Sequence, residues 1–427
     1  MSDERPPLPR NFRKLSIEEK RETLRYVLGV TDEEAAYLAA EPVILELADA
    51  MVESAVGVLP VPLGIATGFL IDGNRYDIPI ATEEPSVIAA ASYAAQILAR
   101  GGGITTESLP PVMTAQVYLD DVDASGEAAL RDAEEDIKAE IAGPLRGMVE
   151  RGGGYRGFDV TRMEEFVRLQ IHVDVRDAMG ANILNTAAET VRPLAAEISG
   201  GRGVMAILTN ASDARRTSAS FSIPVAALGR GGYTGEEAAQ RLVAGGRIAE
   251  VDPSRAVTHN KGVMNGVTGL ALATGNDTRG LEAAVHSYAA RSGVYRPVSR
   301  FEIHTDQPNG DRLCGHLELP LPLATVGGAV SFHPVAQMCL RLLGSPNATQ
   351  LARIAAALGL AQNFAAVYAL VTEGIQRGHM SKHAQRVAWR AGARGSERHA
   401  VAGTLAASGR FDVRAAREHL GGRGNGR

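Results

Sequence analysis

The sequence contains little cysteine: Cys314 and Cys339 are the only two among 427 residues. Two cysteines cannot build a disulfide framework, and neither stands in a CxxC or Cys/His spacing that would bind a metal. We therefore expect a cytoplasmic protein, because thiols stay reduced in the cytosol. The N-terminal segment also lacks a charged stretch followed by an apolar one, so we expect no secretory signal.

The sequence also lacks a strong excess of either charge. It has 44 basic and 49 acidic residues, a formal net charge of −5, and no long basic block. Nucleic acid is therefore not an expected partner. One uncharged stretch, residues 55–71, contains Pro60 and Pro62, which favour a buried strand–turn–strand over a membrane-spanning helix. We expect no membrane partner, with insertion of this stretch as the alternative.

Length and residue pattern predict an α+β protein of two or three domains. Two capping boxes predict helices between residues 16 and 58: Ser16 with Glu19, and Thr31 with Glu34. Alternating apolar residues then predict strands within 64–80, with a turn at Gly73-Asn74. The Ala-rich segment that Glu83-Glu84-Pro85-Ser86 opens predicts a buried helix that ends near Ala99.

Residues 109–214 follow a split βαβ, ferredoxin-like order. The predicted strands cover 112–119, 165–175 and 203–209, and the predicted helices cover 126–141 and 181–198. This unit is inserted into a large, mainly helical domain formed by residues 1–108 and 215–373. Residues 374–427, rich in Arg and Ala, are expected to form a small, mobile C-terminal helical flap.

Residues 253–277 are rich in Gly and Asn, so we expect an irregular, functional loop there. A helix is expected to begin at Gly235, and a hairpin is expected around Asn309-Gly310. Further helices are expected at 279–291, 334–343, 347–372 and 376–391.

The common nucleotide and metal signatures are missing. No GxGxxG follows a predicted strand, and GxxxxGK[ST], HExxH and GxSxG do not occur. A classical Rossmann dehydrogenase, a P-loop enzyme and a zinc protease are therefore disfavoured. His379 and His383 stand one helical turn apart but lack a third ligand, so we expect no metal.

Three polar clusters each allow two interpretations. A carboxylate of Glu83-Glu84, before an apolar helix, either caps that helix or acts as an acid with a raised pKa. Lys261, between glycine-containing bends, is either a solvated loop lysine or a functional cation. Asp277 precedes a predicted helix and either caps it or serves chemistry.

Taken together, the clusters resemble one enzyme family. Five motifs occur in its order and approximate spacing: Glu84-Pro85-Ser86, Asp177-Ala178-Met179-Gly180-Ala181-Asn182, Thr258-His259-Asn260-Lys261-Gly262, Ala273-Thr274-Gly275-Asn276-Asp277 and Gly378-His379-Met380. The chain resembles 3-hydroxy-3-methylglutaryl-coenzyme A (HMG-CoA) reductases, and most closely their soluble second class, from about Pro9 to the C-terminal tail.

The resemblance implies interconversion of HMG-CoA and mevalonate plus CoA by two hydride transfers with NAD(P)(H), through mevaldyl-CoA and mevaldehyde. It also implies four catalytic residues: Glu84, Lys261, Asp277 and His379. Lys261 would stabilise the developing oxyanion, and Asp277 would keep that lysine charged and in place. Glu84 would exchange a proton with the oxygen, and His379 would protonate the departing CoA thiolate.

Substrate contacts follow from the same resemblance. Ser86 and Arg255 would hold the free carboxylate of the substrate. Asn265 and Asn210 would form hydrogen bonds near the reacting oxygen and Lys261. Arg13 would contact CoA phosphates, with an ordinary surface arginine as the alternative.

The stretch 177–182 resembles the dinucleotide motif of the family, and its cofactor contacts would be Asp177, Met179, Gly180 and Asn182. Gly180 would let the backbone approach the cofactor where a helix begins. Some relatives carry an acid for the ribose hydroxyls within the region that corresponds to 141–146, which has none here. We therefore predict that NADP(H) is accepted at least as well as NAD(H), with Arg146 pairing with the 2′-phosphate.

The resemblance also implies a homodimer with active sites between the subunits, and leaves a higher oligomer open. Residues 53–57 read Glu-Ser-Ala-Val-Gly where relatives commonly have Glu-Asn-Val-Ile-Gly, so local contacts near the dimer region differ. Two alternatives remain: a reductase of a different acyl-CoA thioester, and a catalytically silent regulator that binds CoA or a nucleotide. The four retained catalytic residue types argue against the silent regulator.

Overall fold

The computed structural model describes residues 8–9, 11–32, 34–35, 47–48, 50–51, 58–305, 310–374 and 384–421. Within these ranges, helices and two β-sheets confirm the predicted α+β class. In chain order the elements are α1 Ile17–Leu28, β1 Leu63–Ile71, β2 Asn74–Ala81, α2 Val87–Ala99, β3 Ile104–Ser108, β4 Val112–Asp120, α3 Ala124–Asp132, α4 Glu134–Glu140, α5 Ala142–Glu150, β5 Gly154–Met163, β6 Phe166–Asp174, α6 Ala181–Ser199, β7 Arg202–Leu208, β8 Arg216–Pro224, α7 Gly235–Val251, α8 Pro253–Ala273, α9 Thr278–Ala290, β9 Ser299–His304, β10 Arg312–Pro320, α10 Gly328–Phe332, α11 Pro334–Leu342, α12 Ala348–Val371, α13 Gly395–Ser408 and α14 Val413–Gly421.

A six-stranded sheet underlies the larger part of the chain, with strand order β2-β1-β3-β8-β10-β9. Only β1 and β3 pair in parallel; the other neighbours are antiparallel. Along β8 the buried and half-buried residues alternate, so Ala219, Phe221 and Ile223 face the core. The predicted strands within 64–80 and the hairpin of β9 with β10 are confirmed, although residues 306–309 of its turn lie outside the described residues.

Helix α12 runs through the core against α8, α2 and this sheet. Among the described residues, it is the one helix long and apolar enough to cross a membrane. About 78% of its most apolar window is buried inside the protein, which is the behaviour of a core helix.

Helix α8 overturns the prediction of an irregular loop at 253–277. Its 21 residues are helical from Pro253 to Ala273. The glycines that suggested bends serve close packing instead, since a Cβ on Gly266 would lie 2.9 Å from Leu358 Cγ of α12. A Cβ on Gly269 would lie 2.6 Å from Ile80 Cγ2 of β2. Small residues therefore let α8 approach both neighbours at short range.

The four-stranded sheet has the order β5-β6-β4-β7, with antiparallel neighbours throughout. Its helices enclose a hydrophobic cluster of their own, which includes Leu119, Ile137, Leu145 and Leu184. Strand β5 was absent from the predicted strands. It is an edge strand with mostly half-exposed or exposed residues, so its apolar alternation is weak.

The single helix predicted at 126–141 is wrong in its bounds. The segment forms three short helices, α3, α4 and α5, and continues to Glu150. Pro144 is the third residue of α5. Proline lacks an N–H and is best tolerated in a first helical turn, which favours the start of a new helix near Ala142.

The N-terminal capping interactions are confirmed. The Glu19 amide donates to Ser16 Oγ at 3.1 Å, and the Ser16 amide donates to Glu19 Oε2 at 2.7 Å. Thr31 and Glu34 make the same reciprocal pair at 2.9 and 3.2 Å. For the helix predicted at 376–391, residues 376–383 lie outside the described residues, while 384–390 are helical.

Candidate active site

Glu84 and Lys261 form an ion pair between the loop after β2 and helix α8. The Glu84 amide donates to Thr82 Oγ1 at 3.1 Å, which orders that loop. The side chains keep 35% and 56% of their exposure, so the pair lies at an open surface. Glu84 therefore does not cap α2, which begins three residues later at Val87 and not near Pro85.

Ser86, directly before α2, has a left-handed backbone with φ 76°. A non-glycine residue in this region stores about 1 kcal/mol or more of strain, and such residues cluster at functional sites. Its hydroxyl does not cap the helix and has no hydrogen-bond partner among the described residues. Ser86 thus presents a free hydroxyl two residues from Glu84.

Two further predicted contacts lie on α8, the helix that carries Lys261. Arg255 is in the first two turns, and its Nη1 is buried without a hydrogen-bond partner among the described residues. Burial lowers the pKa of the guanidinium, and Asp252 partly opposes that shift. Asn265 lies one turn beyond Lys261 and is half-buried. A guanidinium whose Nη1 is buried and unpaired is well suited to an anionic ligand.

Asp277 lies in a second cluster, at the start of α9. Its carboxylate caps that helix by accepting hydrogen bonds from the amides of Arg279 and Gly280, each at 3.1 Å. A Cβ placed on Gly280 would lie 2.9 Å from Asp277 Oδ2, 3.0 Å from Met179 Cε and 3.3 Å from Asn210 Oδ1. Three predicted site residues therefore surround one glycine.

The two clusters are separated within one chain. Lys261 and Asp277, although both described, form no ion pair with each other. The backbone after α8 folds back so that the Asn276 amide donates to the Ala271 carbonyl. Ten residues of helix separate Lys261 from Ala271, which is about 15 Å along the axis. Glu84–Lys261 lies beside the middle of α8, and Asp277 follows the C-terminal end of that helix; the two clusters are called half-sites below.

The predicted dinucleotide stretch borders the Asp277 cluster. The Asp177 carboxylate accepts a hydrogen bond from the Ala348 amide at 2.8 Å, and its carbonyl accepts one from Thr325 at 2.9 Å. Gly180, with φ 91°, directly precedes α6, and a Cβ there would lie 2.5 Å from Val175 Cγ1. Asp177 therefore positions the stretch, and Gly180 lets the backbone turn closely into the helix.

The first turn of α6 offers a fit for a phosphate group. Gly180, the N-cap residue of α6, has no side chain that could accept hydrogen bonds from the first amides of the helix. Asn182 is exposed in this turn. Amides at a helix N-terminus bind phosphate, so Gly180 and this turn could hold the pyrophosphate of a dinucleotide.

The remaining predicted residues are placed as follows. Arg146 is exposed on α5 and forms no ion pair with any described residue. Arg13 lies in a 3₁₀ helix, Phe12–Lys14, but its side chain is outside the described part. His379 and His383 also lie outside the described residues. Within those residues, no group of three metal-binding side chains occurs.

Arg215 is a structural contact that sequence reasoning missed. It is 4% exposed, donates to the Ala178 carbonyl at 3.2 Å, and also donates to the Leu323 carbonyl. Burial lowers its pKa to about 10. It therefore ties the dinucleotide stretch to the segment after β10. No local motif marks it, because its partners are backbone carbonyls far away in sequence.

His259, inside the Lys261 motif, belongs to a buried polar network. Its Nε2 lies 2.7 Å from Ser299 Oγ, which donates to Asn363 Oδ1 at 2.9 Å. Asn363 Nδ2 donates in turn to the His259 carbonyl at 2.9 Å. Burial, and then the nearby Arg255 charge, lower the pKa of the imidazole to about 4. This network fastens α8 to β9 and α12 beneath Lys261.

We predict that His259 makes stability depend on pH. Its folded pKa, about 4, is below the ordinary 6.5, so the unfolded chain takes up the proton first as pH falls. The neutral histidine contributes stability above pH 6.5, and about 3 kcal/mol is lost between pH 6.5 and 4. Urea unfolding of the wild type and of His259→Gln at several pH values checks this. A difference in the free energy of unfolding between the two proteins that stays constant with pH would contradict the prediction.

Comparisons with known proteins identify the chain. The sequence profile described as hydroxymethylglutaryl-coenzyme A reductase matches residues 16–384. The chain is 40% identical to 3-hydroxy-3-methylglutaryl-coenzyme A reductase of Archaeoglobus fulgidus, over 96% of this chain and 93% of the relative. The chain belongs to the HMG-CoA reductase family. It is an NAD(P)-dependent oxidoreductase of the second class, as the sequence motifs predicted.

Solved structures agree with this HMG-CoA reductase assignment. The enzyme from Streptococcus pneumoniae superposes with a TM-score of 0.80 at 36% identity, covering 97% of this chain and 99% of that one. A second structure, also at TM-score 0.80 and 36% identity, is described as the class II enzyme from S. pneumoniae bound to NADPH in open conformations; it covers 85% of this chain and 99% of that one. The fold is therefore that of HMG-CoA reductase, and a pyridine nucleotide is its cofactor class.

Proposed function

We propose that this HMG-CoA reductase works as a homodimer in which each active site combines the Glu84–Lys261 half-site of one subunit with the Asp277 half-site of the other. The observation that carries the proposal is their separation along α8 within one chain. The surface of α8 supports it. Val257 and Leu272 keep 52% and 46% exposure on a helix that is otherwise largely buried. A partner subunit would cover these apolar side chains and bring the half-sites together.

At the joined site, the Lys261 ammonium neutralises charge that develops on the thioester oxygen and then on the aldehyde oxygen. Glu84 already contacts Lys261, so it is placed to exchange a proton with the same oxygen. Asp277 supplies a second carboxylate for Lys261, with Asn210 beside it. His379, outside the described residues, protonates the CoA thiolate. The bound nicotinamide supplies or accepts the hydride.

Substrate binding uses the groups that the single chain leaves unpaired. Arg255 takes the free carboxylate of the substrate with its buried Nη1, and Ser86 adds its hydroxyl. Arg255 precedes Lys261 by six residues, about 9 Å along the helix, which leaves room for the substrate carbons between the two cations. Asn265 lies beside Lys261 for the reacting oxygen, and Arg13 contacts CoA phosphates.

Residues 109–214 form the ferredoxin-like cofactor domain, and residues 1–108 with 215–373 form the substrate and dimer domain. The strand order β5-β6-β4-β7 and the separate hydrophobic cluster support this division. The unit from 374 to 427 acts as a flap. Arg386 Nη2 donates to the Glu83 carbonyl at 3.2 Å, so the unit contacts the loop that carries Glu84. The cytoplasm remains the predicted compartment.

Activity at different protein concentrations tests the composite site. We expect the specific activity with HMG-CoA and NADPH to fall on dilution in parallel with the dimer fraction measured by analytical ultracentrifugation, because a lone chain holds only half-sites. Dimer stabilised by higher protein concentration should regain full activity. A monomer with undiminished specific activity would contradict the proposal.

Arg146 is predicted to favour NADP(H). Its exposed guanidinium can pair with a 2′-phosphate, so kcat/KM for NADPH should equal or exceed that for NADH. Arg146→Ala should lower the NADPH value about tenfold, or 1.4 kcal/mol, and leave the NADH value nearly unchanged. Lys138→Ala, an exposed cation of the same domain, is the matched control. A tenfold preference of the wild type for NADH would show that Arg146 does not read the phosphate.

A further inference from the structure

Two adjoining cavities lie at the β9 edge of the six-stranded sheet and on its outer face. Their volumes are about 510 and 400 Å³. Both are lined by Arg300 of β9 and His316 of β10, so they form one groove, here called the sheet-face groove. The groove extends from the β9 edge across β10 and β8 to Thr105 of β3, whereas the loop that carries Glu84 follows β2 at the opposite edge.

The larger cavity of the sheet-face groove presents arginines that lack carboxylate partners. Arg291 and Arg296 line it and form no ion pair with any described residue. The Arg291 guanidinium lies over the Tyr288 ring, 3.3 Å from its centre, and Arg291 Nη1 donates to the Tyr288 carbonyl at 3.3 Å. Arg296 donates to the Glu250 carbonyl. Backbone and ring contacts therefore fix both guanidinium groups without neutralising them.

The carboxylates of this cavity are already engaged elsewhere. Glu250 pairs with Arg247 at 2.6 Å. Glu318 accepts a hydrogen bond from Tyr288 and lies 3.5 Å from Arg216 Nε. Arg300, the third arginine of the wall, pairs with Glu302 at 3.3 Å. Arg291 and Arg296 are thus the cations that an incoming anion can reach without breaking an ion pair.

Apart from the paired Arg300 and Glu302, the smaller cavity is lined mainly by neutral hydrogen-bonding groups. Thr105 Oγ1 and Ser220 Oγ lie 2.9 Å apart, on neighbouring strands β3 and β8. The Cys314 thiol donates to Ser222 Oγ at 3.4 Å and lies 3.7 Å from His304 Nδ1. Hydroxyl groups of this kind suit the polar remainder of a phosphorylated molecule more than its charge.

We propose that the sheet-face groove binds a phosphorylated small molecule, with phosphoryl groups at Arg291 and Arg296 and a polar remainder over Ser220 and Ser222. Guanidinium groups match phosphate oxygens in charge and in geometry. The two volumes together exceed what inorganic phosphate fills, so the ligand carries an organic portion. This proposal stands independently of the composite active site.

Calorimetric titration of the full chain with pyrophosphate and with ADP tests the groove. We expect both to bind, ADP at least threefold more tightly, and Arg291→Ala/Arg296→Ala to weaken both at least tenfold. Ser220→Val should remove the advantage of ADP. Arg414→Ala, an exposed arginine of the C-terminal unit, is the control and should bind as the wild type does. The variant Arg291→Lys/Arg296→Lys keeps both positive charges and controls for misfolding of the double alanine variant. We expect it to bind with intermediate affinity.

The Asn182→Ala variant distinguishes the groove from the proposed cofactor site, because Asn182 lies in the turn proposed for the pyrophosphate of the dinucleotide. Binding that survives Asn182→Ala and is lost in the double alanine variant supports the groove. Binding that is kept in the double alanine variant overturns it, as does the absence of binding.

His316 gives a local readout by NMR. Burial, and then the Arg300 charge, lower the pKa of His316, whereas Glu318 and Glu302 raise that pKa. A bound anion should therefore raise the pKa of His316. An unchanged His316 titration with pyrophosphate bound would also overturn the proposal.

Discussion

Replacement of Lys261 by alanine is expected to reduce kcat with HMG-CoA and with mevaldehyde at least a thousandfold. Both carbonyls pass through an anionic oxygen at one site, and loss of its main cation removes about 4 kcal/mol of transition-state stabilisation. Steady-state rates with each substrate measure the effect. Rates within tenfold of the wild type on either substrate would show that Lys261 does not stabilise the anionic oxygen.

Loss of folding does not account for this effect. The Glu84–Lys261 pair is partly solvent-exposed, and pairs at the surface contribute about 1 kcal/mol or less to stability. We therefore expect the free energy of unfolding of Lys261→Ala to match that of Lys138→Ala, an exposed lysine paired with Glu135 at 3.4 Å. Lys138→Ala should keep wild-type activity.

Asp277→Asn is expected to inactivate the enzyme by a comparable factor, because the lysine then lacks one carboxylate. Asparagine caps helices as well as aspartate does, so α9 and the Gly280 cluster should remain in place. Circular dichroism and thermal unfolding check that the variant keeps its fold.

Co-expression of Lys261→Ala with Asp277→Asn then tests whether each site draws on two chains. Half of randomly assorted dimers are mixed, and each mixed dimer has one intact site of two, so about a quarter of wild-type activity should return. Each variant expressed alone provides the baseline. No recovery above that baseline, in samples shown to contain mixed dimers, would mean that Lys261 and Asp277 act from the same chain.

Local interactions account for the elements that the sequence predicted well. The Ser16–Glu19 capping box depends on residues three positions apart, and the pattern alone predicts the start of α1. The same holds for α7, whose N-cap Thr234 pairs with Glu237. Edge strand β5 was missed, because its half-exposed residues leave little periodicity to detect.

The sequence by itself determined the family, and with it the reaction, because five motifs occur together in the order and approximate spacing of that family, although each motif alone is weak evidence. It also predicted that Glu84, Lys261 and Asp277 act together as catalytic residues. The tertiary structure decided that Glu84 contacts Lys261 while Asp277 gathers with Asn210 and Met179.

Helix α8 shows the physical reason. Its glycines resemble loop residues when read in order, and only the neighbouring Leu358 and Ile80 show that they allow close packing. Once the segment is a helix, its rise per residue holds Lys261 and Asp277 apart. The motifs in the sequence identify the residues of this site, whereas the distances between those residues depend on packing between segments far apart in the chain.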